Sequence, residues 1–206
     1  MKTIIYFVTE DWYFCSHRLP IARKALADGF KVVVVTRVNK HRRIIESEGF
    51  ELAPIEIKRG SFNLVAEFRT VFVLHSYYKK YNPDIVHHVA MKPIIYGTLV
   101  ARFIGSIKIV NAVAGMGFVF ISNSKRIKLL RFFIHRLFRF LLNNKSYKLI
   151  LQNKDDLEYF LKNGLVRKDL ATIVRGSGVN ITKFIPAGES IGIPIVMLAS
   201  RMLWDK

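Results

Sequence analysis

Between Ile85 and Lys154 the sequence has no aspartate and no glutamate, although those 70 residues carry 12 lysines and arginines. The whole chain of 206 residues has a formal net charge of +18, so two thirds of the excess falls in about one third of its length. A basic run without acids has no internal counter-charge and favours polyanions: nucleic acid, anionic lipid or a diphosphate. Cysteine is almost absent. Cys15 alone cannot crosslink the chain; it suits a reducing compartment and reads as a small buried apolar residue. Long apolar runs are missing too. The longest uncharged stretch, residues 109–124, has 16 residues and includes Asn111, Gly115, Gly117, Ser122 and Asn123. A membrane-spanning helix needs about 20 mostly apolar residues, so none is expected. The opening residues turn acidic at Glu10 before an apolar region accumulates, so no signal peptide is expected.

Several chemical signatures are also absent. The chain has no C-x-x-C, H-E-x-x-H, G-x-x-x-x-G-K-[ST] or G-x-S-x-G, which removes support for a zinc site, a P-loop and a hydrolase elbow. It has no RNP-type run, zinc-finger spacing or helix-turn-helix pattern, so nucleic acid is not expected as a partner despite the charge. His87 and His88 are adjacent on an apolar run and would point to opposite faces of a strand. They cannot share one metal and read as core or loop histidines. No metal site is expected.

What is present is apolar residues, 51% of the chain, arranged in short β-branched runs alternating with segments of helical period. That alternation predicts βαβ units and a doubly wound, Rossmann-like parallel sheet of the α/β class. Strands are expected at residues 3–8, 31–36, 51–55, 84–88, 108–112, 147–151 and 171–174, and helices at 16–28, 40–48, 63–81, 93–104, 125–142 and 154–163. Gly29 and Gly49 stand where helix C-caps belong, and Pro83 ends the helix before it. Near residue 188 the texture changes to a Gly- and Pro-containing linker, followed by an apolar run at 193–199. The expected organisation is therefore one domain over residues 1–188 and, over 189–206, a linker and the first strand of a second.

In open parallel sheets ligands bind beyond the carboxyl ends of the strands. Here those ends are the loops at 9–16, 36–39, 88–92, 113–124, 151–153 and 175–180. Gly115 and Gly117 lie two apart after a strand; Gly176, Ser177, Gly178 and Asn180 follow another. Both sets permit close backbone approach to an anion, and both also read as plain turns. Lys92 precedes Pro93 at a helix start, where a phosphate could meet both the ammonium and the helix end; it reads equally as a solvated lysine.

Residues 125–142 are the most informative. Ile127, Leu130, Ile134, Leu137 and Leu141 form one helical stripe, and Lys125, Lys128, Arg131, His135 and Arg139 a second. Phe132, Phe133, Phe138 and Phe140 widen the apolar side beyond what docking on a sheet requires. Cations beside surplus aromatic residues describe a helix lying in a lipid headgroup layer, and a core helix with a solvated basic face is the alternative.

Three stretches together resemble a known family. Residues 14–22, FCSHRLPIA, with GFKVV at 29–33, look like the first loop and helix of a GT-B glycosyltransferase. RGSGVNITKF at 175–184 is similar to the segment closing that family's N-terminal domain. ASRMLWDK at 199–206 looks like the start of its C-terminal domain. With Lys92-Pro93 and AGMGFVF at 114–120, the resemblance is to bacterial retaining family-4-like transferases that extend undecaprenyl-diphosphate-linked sugars in cell-surface polysaccharide or glycoprotein glycan synthesis.

The resemblance implies that Ser16, His17, Arg18, Lys92, Gly115 and Gly117 face a lipid-diphosphate-linked sugar acceptor, and that Gly176, Ser177, Gly178 and Asn180 border the interdomain cleft. It implies that Arg201 and Lys206 hold the diphosphate of a nucleotide-sugar co-substrate without a metal or other cofactor. Many relatives carry a histidine where this chain has Ala114, so no catalytic residue is assigned. The family's nucleoside pocket belongs to a C-terminal domain. The expectation is therefore an acceptor half, inactive alone, on the inner face of the cytoplasmic membrane, paired with a separately encoded C-terminal half or serving as a non-catalytic recruiting subunit.

Overall fold

Residues Thr3–Glu10 form strand β1, and their alternation divides the protein into two layers. Ile5 and Phe7 point one way, Tyr6 and Val8 the other, and all four are buried, as a central strand covered on both faces requires. The structure, a computed structural model, describes residues 1–58, 63–115, 124–182, 184–186, 188, 192–193 and 196–197, with backbone alone at 125–126.

Six more strands follow: β2 (Lys31–Arg37), β3 (Glu51–Pro54), β4 (Ile85–Val89), β5 (Lys108–Ala112), β6 (Tyr147–Leu151) and β7 (Ala171–Ile173). They form one sheet of order β3-β2-β1-β4-β5-β6-β7, parallel throughout. This is the doubly wound, Rossmann-like arrangement expected. The order reverses between β1 and β4, which places a crevice there.

The helices are α1 (Asp11–His17), α2 (Leu19–Ala27), α3 (Arg42–Ser47), α4 (Leu64–Tyr81), α5 (Met91–Ile104), α6 (Lys125–Leu142) and α7 (Lys154–Lys162), with one 3-10 turn at Lys168–Leu170. Phe14, Ala22 and Ile45 of the first three pack on Tyr6, Val8, Val32 and Val34. Leu74, Tyr78 and Val100, from α4 and α5, pack on Ile5, Phe7, Val33 and Val35 across the sheet. Phe138, Leu142 and Phe160, from α6 and α7, continue that second layer over Leu149 and Leu151.

Three sequence readings need correction. The segment expected as a loop at 9–16 completes β1 and forms α1. Burial weighs against the charge of Asp11, but the backbone N–H groups of His41 (2.9 Å), Asn39 (2.6 Å) and Trp12 (2.7 Å) hold its carboxyl below the usual value and fix the helix start. The helix expected at 16–28 instead begins at Leu19, because Pro20 fits a first turn, where its missing N–H leaves no gap. Phe138 is not a surplus aromatic: it is fully buried against Phe160, ring centroids 5.8 Å apart. The apolar run at 193–199 lies mostly outside the described residues; Ile193, Val196 and Met197 are exposed and not in a strand.

His87 and His88 do point to opposite faces, and both are buried. His88 Nδ1 donates to Asn111 Oδ1 at 2.8 Å, which leaves Nε2 to accept from the Tyr78 hydroxyl, also at 2.8 Å. Thr98 Oγ1 donates to the same amide oxygen at 3.2 Å. Gly97 faces this imidazole so closely that a Cβ there would lie 2.3 Å from His88 Nε2.

Candidate functional site

At the carboxyl edge of the sheet, over the reversal between β1 and β4, lies an open cavity of about 860 Å³. Its floor is the end of β1 (Val8, Thr9), and α1 supplies Trp12, Tyr13, Ser16 and His17. Val89 to Lys92 come from the turn into α5, Ala114 and Gly115 follow β5, and Gln152 follows β6. The turn after β7 closes the ring with Gly176, Ser177 and Gly178. Five of the six strand ends named from the sequence thus converge; the loop at 36–39 is not in the lining. Among the described residues, none that lines it is a carboxylate.

The walls are fixed by local chemistry. Tyr13 and His17, one helical turn apart on α1, stack face to face with centroids 4.1 Å apart and planes within 1°. Ser16 Oγ lies 2.6 Å from His17 Nδ1 and 2.8 Å from the Trp12 carbonyl. Gly176 and Gly178 take positive φ values of 66° and 70° on either side of Ser177, a turn that side-chain-bearing residues adopt only with strain.

Beneath that turn is Arg18, only 6% exposed, whose Nη1 donates to Ser177 Oγ at 3.2 Å and to the His17 carbonyl at 3.0 Å. It makes no ion pair among the described residues, and its Nε has no partner. Burial lowers its pKa, while the Tyr13 and Tyr6 hydroxyls act the other way. On the other side of β4's end, Ala90 has φ 80° and ψ 165°, a region nearly reserved for glycine. Its N–H donates to the Ala112 carbonyl at 3.1 Å, and its own carbonyl accepts from Ile94. The tertiary structure holds it there against about 1–3 kcal/mol of strain.

Of the residues singled out from sequence, Ser16, His17, Lys92, Gly115, Gly176, Ser177 and Gly178 line the cavity. Arg18 does not; it braces the wall from behind. Lys92 does, but its Nζ is engaged by Glu67 Oε1 at 2.5 Å and by the Lys58 carbonyl at 2.7 Å, so it ties α5 to α4 and to the segment before α4. Asn180 lies outside the lining and closes a local turn, accepting from the Thr182 N–H at 3.0 Å. Gly117, Arg201 and Lys206 fall outside the described residues, as does the side chain of Lys125. Sequence reasoning missed Trp12, Tyr13 and Gln152. The first two were legible only to a helical reading of residues 11–17, which puts 12, 13, 16 and 17 on one side.

Residues 3–153 match the family model described as glycosyl transferase 4-like. The chain belongs to the glycosyl transferase 4-like family. It is 26% identical over 203 residues to N,N'-diacetylbacillosaminyl-diphospho-undecaprenol alpha-1,3-N-acetylgalactosaminyltransferase of Campylobacter jejuni, covering 92% of this chain and 53% of that one. The chain thus spans about half the length of this relative. Among solved structures, a glycosyltransferase from Rickettsia africae superposes with a TM-score of 0.62 at 17% identity, over 92% of this chain and 47% of that one. Acinetobacter baumannii MurG superposes at 0.58 with 14% identity, covering 89% and 48%. These likenesses place this member of the family in the GT-B, Rossmann-like fold.

The family member's α6 presents two unlike faces. Ile127, Leu130, Ile134 and Leu137 are half-buried and Leu141 fully buried, as the apolar stripe predicts. Outward, Leu129, Phe132, Phe133 and Phe140 are more than half exposed beside the exposed cations Lys128, Arg136 and Arg139. His135 and Arg139 reach towards α7, to the Tyr159 hydroxyl at 3.1 Å and the Asn163 carbonyl at 2.8 Å, and Arg131 is half-buried. The same sheet face carries a second apolar stripe not noticed in the sequence: Leu64, Val65, Phe68 and Phe72 of α4 are all more than 70% exposed. No helix among the described residues is long and apolar enough to cross a membrane.

Proposed function

We propose that this chain is the acceptor-binding half of a glycosyltransferase that moves a sugar from a nucleotide-sugar onto a lipid-diphosphate-linked glycan, working at an anionic membrane surface. The observation that carries the reading is the pairing of two features in one molecule. A cavity with no carboxylate among its described lining residues opens at the sheet reversal, and the flanking layer exposes phenylalanines next to lysines and arginines on α6. Amphipathic helices of this composition sit at the headgroup boundary, where each cation near an anionic leaflet contributes about 1 kcal/mol. Docking there would bring the cavity to a substrate whose lipid tail stays in the bilayer. The Campylobacter relative, named for a diphospho-undecaprenol sugar acceptor, agrees with that choice of substrate class.

In this reading Gly115 and the turn at Gly176, Ser177 and Gly178 offer backbone amides to the acceptor, and Arg18 supplies positive potential from behind the turn. Arg201 and Lys206 serve the donor diphosphate with fixed charge in place of a metal. Sugar transfer requires a nucleotide-binding domain, supplied by the same or another polypeptide, and the compartment is the cytoplasmic face of the membrane.

The test is sedimentation with vesicles of neutral lipid alone or with anionic lipid added. The chain should pellet only with anionic vesicles, and reversing Lys128, Arg136 and Arg139 to glutamate should lower partitioning by at least tenfold. Equal pelleting of this variant, or equal binding to neutral vesicles, overturns the docking reading.

A further inference from the structure

The stacked pair on α1 permits a sharper assignment than contact with a phosphate. Ser16 Oγ has one proton to give, and the Trp12 carbonyl, 2.8 Å away, can only accept. That proton goes to Trp12, so the 2.6 Å contact between Ser16 Oγ and His17 Nδ1 is made by a proton on Nδ1. With Nδ1 protonated, a neutral imidazole carries its lone pair on Nε2. Burial first, and the charge of Arg18 second, lower the pKa of His17 and keep it neutral. Stacking on Tyr13 leaves the ring little freedom to turn.

We propose that Nε2 of His17 accepts a hydrogen bond from a hydroxyl of the acceptor's sugar, so that α1 forms the sugar subsite of the cavity and not part of a diphosphate clamp. This rests on reading the cavity as the acceptor site. The chemistry separates the two ligand parts: an ionised phosphate oxygen would bring lone pairs to a lone pair, whereas a hydroxyl brings the proton Nε2 lacks. Trp12, 44% exposed on the same wall, adds an aromatic surface suited to the apolar side of a sugar ring.

The experiment measures binding of two ligands to the 206-residue chain by calorimetry: a short-chain prenyl diphosphate, and the same compound carrying an N-acetylhexosamine on its diphosphate. The wild type should bind the sugar-bearing ligand more tightly. His17→Phe keeps a ring to stack on Tyr13 but has no acceptor, so it should lose about tenfold in affinity for the sugar-bearing ligand and little for the sugar-free one. His17→Gln, which can offer its amide oxygen near the same point, should regain most of the loss; circular dichroism checks that both variants fold. Equal losses for both ligands in His17→Phe, or no loss for either, overturn the proposal while leaving the acceptor reading intact. A wild type that binds neither ligand overturns the acceptor reading, and this proposal with it.

Discussion

Ala90 and Gly97 show how much a single residue can decide in this protein. Ala90 is held at a positive φ between a hydrogen bond to β5 and the first turn of α5, directly at the cavity. Replacing it by glycine should relieve strain and raise stability by about 1 kcal/mol, net of the extra chain entropy that glycine brings to the unfolded state. Urea titration of Ala90→Gly measures this, and an unchanged or lowered midpoint contradicts it. Gly97→Ala goes the other way. The new methyl would occupy the space of the His88 imidazole, which is locked between Tyr78 and Asn111 and has nowhere to move. A cost of roughly 1–3 kcal/mol follows from overpacking of a buried site, with more if the polar network breaks. Thermal melting shows the loss, and a variant as stable as the wild type would mean that α5 can shift away from β4.

At the scale of elements, α4 and α6 share one property that packing does not explain. Each docks a sufficient apolar face on the sheet and still exposes several large apolar side chains. On α4 the exposed set at 64, 68 and 72 recurs at a four-residue spacing, so it is a stripe and not scatter. Both helices pack against α5, which itself exposes Phe103. Phe68→Asp with Phe72→Asp should leave melting within about 0.5 kcal/mol of the wild type, as exposed substitutions do, and reduce partitioning onto anionic vesicles severalfold. If vesicle binding is untouched, α6 docks alone and the α4 stripe serves something else. This stripe was unread in the sequence because buried and exposed apolar positions on one helix look alike until the sheet shows which side is covered.

For the whole molecule, acid should be the condition that tests the core. Burial, the charge of Arg18 and the neighbouring His88 push His87 down to about 3, and burial pushes His88 down to about 4. Unfolded, each would bind a proton near pH 6.5. The unfolded state therefore takes up more protons as pH falls below that value, and stability is lost from about 6.5 down through about 4 and then 3. Between pH 6 and 5 the two histidines together account for about 2 kcal/mol of lost unfolding free energy. His87→Phe should halve that slope in denaturant titrations across this range; an identical slope would mean His87 is already protonated in the folded chain.

The sequence by itself determined the class of fold, because β-branched runs buried on both faces and helical-period segments between them leave only a doubly wound parallel sheet. It also located much of the cavity's rim, since strand ends follow from strand limits: the lining residues at 89–92, 114–115 and 176–178 fall within the loops read at 88–92, 113–124 and 175–180. What only the tertiary structure decided was the partner of each side chain. Lys92 and Arg18 look alike in sequence as free cations near a loop. Yet Glu67, 25 residues away, engages the first, and Ser177, 159 residues away, turns the second into a brace. Side-chain pairing across such separations depends on how the sheet folds the chain back on itself, and no local pattern carries that information.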